Sequence, residues 1–244
     1  MKLIHTLTIA SAVLGLAGTS MAGTSAAAPA SCSPDAFNQW NVELSLLHQR
    51  ARAHEYDSQD NEDGYRLGVS YQPCPESLGY SVTYTEFKGT QYAPNNDGPD
   101  TMTLDFEAFK TGLQLGPVDC SYSFGLRYFD LVETRFAGST VEVDYRGFGP
   151  VVGFDASYAL PYNFSLYGNA KLAYLFGHDR QANLADEDEY VFAFGTGLRY
   201  DITCCPMIEG AYVKAGYEVL HLNHLADSGT AKIQGWVFSV GYDF

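Results

Sequence analysis

The last nine residues, Trp236-Val237-Phe238-Ser239-Val240-Gly241-Tyr242-Asp243-Phe244, carry a large apolar or aromatic side chain on every even position. Successive side chains of a strand point to opposite faces, so this segment has one apolar face and one face of smaller or polar residues. Hydrocarbon suits the first face and a polar interior suits the second. The segment reads as the closing strand of a lipid-facing barrel, with Trp236, Phe238, Val240, Tyr242 and Phe244 as its insertion signal toward barrel-assembly machinery. A soluble sandwich strand alternates too, but rarely ends on an exposed aromatic.

The start of the chain fits an exported protein. Met1-Lys2 supplies a positive charge, Leu3 to Leu16 a short apolar stretch, and Ser20-Met21-Ala22 a small-residue cleavage site. The expected organisation is a signal peptide over 1–22, a periplasmic segment over 23–36 and an outer-membrane barrel over 37–244. A retained anchor would need a longer apolar run, and Pro29-Ala30-Ser31 before Cys32 does not make a lipoprotein site. Beyond the leader no stretch approaches the roughly 18 apolar residues of a membrane helix, while 18 Tyr and 15 Phe are present. A net charge of -15 with only 14 Lys and Arg excludes nucleic acid as a partner. An acidic secreted globule is the remaining soluble alternative.

The predicted fold is all-β, a transmembrane antiparallel up-and-down barrel of about ten strands, with eight or twelve as alternatives. The strands are expected near Trp40 to Arg52, Gly64 to Gln72, Leu78 to Phe87, Met102 to Leu115, Ser121 to Glu133, Val141 to Leu160, Phe164 to Gly177, Tyr190 to Ile202, Ala211 to Leu222 and Lys232 to Phe244. Compact connectors rich in Pro, Gly and Asn follow strands two, four, six and eight. Longer polar loops follow strands one, three, seven and nine, at 54–63, 89–100, 178–189 and 223–230. Short turns on one side and long loops on the other are the asymmetry of an outer-membrane barrel. The connection at 135–140 is short, which predicts a nearly uncapped side there.

Face by face, strand seven sends Phe164, Leu166, Leu172, Tyr174 and Phe176 outward, and strand eight sends Phe192, Phe194, Leu198 and Tyr200 outward. In strand six the apolar parity changes between Tyr145 and Phe148, which predicts a bulge near Gly147. A similar slip is expected around Ala108-Phe109. The candidate lumen-lining residues are Glu43, Arg66, Glu107, Arg127, Arg146, Asp155, Lys171, Arg199, Asp201, Lys214 and Glu218, nearly balanced in sign.

The stretch 125–131 (GLRYFDL), then 147–153 (GFGPVVG), then 165–177 (SLYGNAKLAYLFG) and Gly216-Tyr217-Glu218 resemble the Legionella-type major outer membrane protein family over about residues 120 to 222. The order and spacing of these pieces are more specific than any one of them. The resemblance implies a porin-like, pore-forming barrel or a major surface protein. From the residues alone, a salt-bridged core that only stabilises the barrel and a small-solute path past a constriction both stand, since eight strands are just filled by side chains and sixteen leave a channel. With the resemblance the expectation is a narrow, low-conductance channel. Acidic loops carrying Glu55, Asp57, Asp60, Glu62, Asp63, Asp97, Asp100, Asp179, Asp186, Glu187, Asp188 and Glu189 predict weak cation preference. Divalent-cation contact beside lipopolysaccharide is the alternative.

All five cysteines, Cys32, Cys74, Cys120, Cys204 and Cys205, fall before strand one or in connectors of the short-turn side. In an oxidising periplasm they are disulfide candidates, and the odd count leaves one for a partner chain or for none. No cofactor or metal is expected. Partners are outer-membrane lipid and lipopolysaccharide, with a homo-oligomer or disulfide-linked partner as a further option. No catalytic residue is assigned. The alternatives are a non-conducting structural or adhesive barrel, or a barrel hydrolase of the omptin or lipid A deacylase kind, for which His221 and His224 near Asp227 and Ser228 are the residues to examine.

Overall fold

A computed structural model describes residues 39–53, 56–57, 61–89, 100–136, 140–179, 187–203, 208–223 and 231–244. Alternating apolar and polar side chains make ten long strands: β1 Gln39–Ala53, β2 Glu62–Gln72, β3 Gly79–Phe87, β4 Asp100–Leu115, β5 Val118–Phe136, β6 Thr140–Ala159, β7 Phe164–Asp179, β8 Glu187–Asp201, β9 Ala211–Asn223 and β10 Ala231–Asp243. A two-residue segment, Tyr56–Asp57, folds back on the end of β1. Each strand pairs antiparallel with its sequence neighbour, and β10 returns to β1 over Asn41↔Asp243 to Ala53↔Ala231. The main chain of Trp40 and Phe244 extends this closure, Phe244 N–H donating to Trp40 C=O at 2.9 Å. Closure satisfies every ladder without an edge, which is the condition for a sheet in hydrocarbon.

The outward face is apolar around the barrel. Leu46, Leu126, Phe148, Phe176, Phe194 and Phe238 are all exposed, the last at 51%. In water such a surface would aggregate; in a bilayer it is the solvated state. Short turns join the strands at one end. Between β6 and β7 the chain reverses through Tyr162 and Asn163, both left-handed at φ 64° and 62°.

Two expectations about register change. The slip expected at Ala108-Phe109 lies slightly further on: β4 pairs regularly to Lys110↔Tyr122 and resumes at Leu113↔Cys120, so Thr111 and Gly112 face Ser121 alone. Gly112, at φ 88°, takes the left-handed conformation at that bulge. The bulge expected near Gly147 is absent, since β6 follows β5 without a shift from Val118↔Tyr158 to Phe136↔Thr140. Tyr145 therefore points inward and is 1% exposed. Its side chain fits because Gly147 and Gly177 lie beneath it, where an added Cβ would come within 2.6 Å of the hydroxyl oxygen and 2.5 Å of ring atom Cζ respectively. β5 and β6 are also the longest strands, at 19 and 20 residues. The short connection at 135–140 reflects strands that continue pairing to Phe136↔Thr140.

Candidate functional site in the barrel lumen

The inward side chains form layers. From mid-barrel toward the long loops the layer is mainly apolar, with Gln49, Glu62, Thr101 and Glu189 buried in it: Phe129 and Leu131 of β5, Tyr145 and Val151 of β6, Ala173 and Leu175 of β7, Val191 of β8 and Leu222 of β9 form one buried cluster. Ala51, Phe87 and Ile233 form a second, and Leu220 packs against both. These side chains come from eight of the ten strands and leave almost no surface exposed.

The middle layer is charged and buried. Arg127 clasps Asp105 with two donors, at 2.6 and 2.7 Å. Lys171 Nζ reaches the same carboxylate at 3.3 Å and also donates to Glu107, which accepts from Ser123 at 2.7 Å. Arg127, Asp105 and Glu107 side chains are 6%, 4% and 3% exposed. Lys171 on β7 meets β4 across the intervening β5 and β6, passing over Gly153 and Ser123 along one wall of the lumen. Opposite it, Arg66 of β2 grips Glu218 of β9 at 2.9 and 2.7 Å. Lys214 reaches Glu43 at 2.5 Å, and Tyr212 also donates to Glu43 at 2.8 Å.

The last layer lies toward the short turns. Arg199 donates to Asp201 at 2.7 Å and to Asp243 at 3.0 Å, and its guanidinium stacks 3.8 Å from the Tyr212 ring centre. Here the lumen opens into a cavity of about 680 Å³ walled by Glu43, Arg66, Asp155, Asn169, Arg199 and Lys214 among others. That volume holds many waters, so the interior is filled toward the loops and hollow toward the turns.

Ten of the eleven candidate lumen residues, Glu43, Arg66, Glu107, Arg127, Asp155, Lys171, Arg199, Asp201, Lys214 and Glu218, lie in these polar layers. Arg146 does not. With no bulge at Gly147 it shares the outward parity of Phe148, where it pairs with Asp130 at 3.0 Å and Asp144 at 3.8 Å. Sequence reasoning missed Asp105, whose spacing of two from Glu107 was the available signal, and the inward apolar layer. Two acids assigned to the outer mouth, Glu62 and Glu189, are buried within strands, each 2% exposed. Asp63, Asp100 and Asp188 are exposed, Asp57, Asp179 and Glu187 lie in strands, and Glu55, Asp60, Asp97 and Asp186 lie outside the described residues.

Cys120 is not a connector residue. It belongs to β5 beside the bulge, is 4% exposed and carries a free thiol, so burial removes it from the expected rim pairings. Cys74 is buried in the turn after β2, while Cys32, Cys204 and Cys205 lie outside the described residues. His221 takes the outward parity of Val213 and Tyr217 on β9, away from the lumen; His224, Asp227 and Ser228 lie outside the described residues. Among the described residues no group of three His, Cys, Asp or Glu is placed to hold a metal.

No curated protein matches the chain in sequence. Among solved structures, the β domain of the Bordetella autotransporter BrkA is similar at 15% identity with a TM-score of 0.50, covering 85% of this chain and 98% of that one. The Escherichia coli outer membrane protease OmpT gives 12% identity, TM-score 0.48 and coverages of 87% and 98%. Neisserial surface protein A gives 14%, 0.45, 84% and 97%. The first of these likenesses supports the fold alone. The sequence profile described as the Legionella pneumophila major outer membrane protein precursor matches residues 78–216, more than half of the chain. By that match, the chain belongs to the Legionella major outer membrane protein family of outer-membrane β-barrels.

Proposed function

We propose that the protein is a narrow pore of the bacterial outer membrane, held shut here by the apolar layer. The observation that carries this reading is the hollow, charged cavity of about 680 Å³ at the turn end, an aqueous volume that a purely anchoring barrel has no need of. An ion entering it meets Leu131, Leu175, Val191 and Leu222 and would have to shed its hydration there, so these side chains act as a dewetted constriction. Conduction is then low and intermittent. In planar bilayers the doubly substituted Leu131→Ser, Leu175→Ser protein is expected to pass roughly tenfold more current than the parent, because hydroxyls wet the constriction. If that variant refolds with a normal heat-shifted gel mobility and stays silent, the second reading, a non-conducting surface barrel, replaces the first. The packed layer, in which Glu62 and Glu189 are also buried, is what favours that alternative.

The proposal includes export with loss of residues 1–22, short turns facing the periplasm, and contact with lipopolysaccharide and the assembly machinery through β10. It also includes one disulfide at the turn end, between Cys74 and Cys32, Cys204 or Cys205. Peptide mass mapping of protein from outer membranes, alkylated before reduction, should find Cys74 in a crosslinked peptide and no peptide from 1–22. A fully alkylated Cys74 removes the disulfide, and a retained leader peptide removes the export claim.

A further inference from the structure

The turn-end cavity has a charge imbalance that its own ion pairs do not remove. Its walls hold five carboxylates, Glu43, Asp119, Asp155, Asp201 and Glu218, against three cations, Arg66, Arg199 and Lys214. Each cation is committed: Arg66 to Glu218, Lys214 to Glu43, and Arg199 to both Asp201 and Asp243. Lys171, the next cation along β7, is held by Asp105 and Glu107. Among the described residues Asp155 has no cation within bridging distance, and the hydrogen bond it accepts from the Ser121 hydroxyl is a long one, 3.5 Å.

At the turn end Lys110, beside the β4 bulge, is held by the Glu76 carbonyl. The short-turn connectors at 73–78, 116–117, 160–163 and 202–210 contain no Lys or Arg, and neither does the chain from residue 3 to residue 49. Asp155 has Ser121 and Asn169 as its register partners on β5 and β7 and Ser157 and Tyr167 nearby along the cavity, and the charged groups that act on it, Lys171, Glu107 and Lys214, are engaged in ion pairs of their own. A carboxylate in a confined, water-filled space bounded by low-dielectric walls attracts a counter-ion more strongly than one on an open surface. The space is far larger than one bare ion, and no three acidic, His or Cys side chains converge as a metal would require among the described residues.

We propose that this cavity binds a small organic cation, an alkylammonium whose N–H groups are taken by Asp155 with Asn169 and Ser121, and whose carbon body lies against the Tyr167 ring. Glu43, Arg66 and Lys214 form the far wall and stay paired to their own partners. The assignment deepens the pore reading by naming the solute class its inner vestibule accepts, and it stands on the cavity alone whether or not the lumen conducts.

Calorimetric titration of the refolded full chain in detergent micelles tests it, with butylammonium chloride as the probe and sodium butyrate as its anionic counterpart. Butylammonium should bind and butyrate should not. Asp155→Asn should weaken butylammonium binding about tenfold or more, as expected for loss of a charge-assisted hydrogen bond, and Asp155→Glu should retain most of it. Heat-shifted gel mobility identical to the parent confirms that both variants fold. Equal binding of butyrate, unchanged affinity in Asp155→Asn, or no heat with butylammonium overturns the proposal. Binding in a protein that never conducts leaves the site standing and removes only the pore.

Discussion

Arg127→Met is expected to destabilise the barrel by about 3–5 kcal/mol, the usual cost of removing one partner from a buried ion pair. Arg127 holds both oxygens of Asp105 in a site where neither side chain exceeds 6% exposure. Methionine fills much of the same volume, so the loss isolates charge rather than packing. The carboxylate would keep only Lys171 at 3.3 Å, a lysine already shared with Glu107. Arg146→Met is the matched control. Its side chain is 35% exposed on the outer face, and such a pair contributes about 1 kcal/mol or less. Urea-dependent folding into lipid vesicles measures both. Equal losses would mean that Arg127 is no more enclosed than Arg146, contrary to the layered lumen.

Phe238→Arg carries the next largest expected effect. Phe238 lies mid-strand in β10, outward and half exposed in the isolated barrel. A guanidinium there sits near the centre of the hydrocarbon, which costs about 2–4 kcal/mol in a barrel, falling to about 0–1 near the interfaces. Phe244→Arg, at the turn end beyond the last strand residue, should therefore cost little. The same folding assay compares them. A flat result across the two positions would deny the strand its membrane depth.

The ten strands were legible because eight of the nine hairpin connections announce themselves in Gly, Pro, Asn or acidic runs, and because the outward side chains from Phe164 to Phe176 and from Phe192 to Tyr200 never break parity. What misled was the assumption that the inward face is polar throughout. Tyr145 faces inward as an apolar-layer residue, so its parity looked like an outward side chain followed by a bulge, and Arg146 was carried to the wrong side with it. Phe129, Leu131 and Leu175 are inward and apolar for the same reason. Their strands alternate between two apolar environments near the loop end, and alternation of polarity cannot report which face is which there. The charged layer was readable residue by residue, but its pairing was not. Lys171 and Asp105 are 66 positions apart, and only the curvature of the sheet over β4 to β7 brings them together.

In a closed sheet β10 turns its even-numbered face to hydrocarbon and its odd-numbered face to a protein interior. A spin-label scan of single cysteines at 236, 237, 238, 239 and 240, in the protein reconstituted in vesicles with its native cysteines replaced, measures it through collision with oxygen and with a water-soluble nickel complex. High oxygen and low nickel accessibility is expected at 236, 238 and 240, with motionally restricted labels at 237 and 239. Uniform accessibility along the segment, or oxygen maxima at 237 and 239, would contradict it.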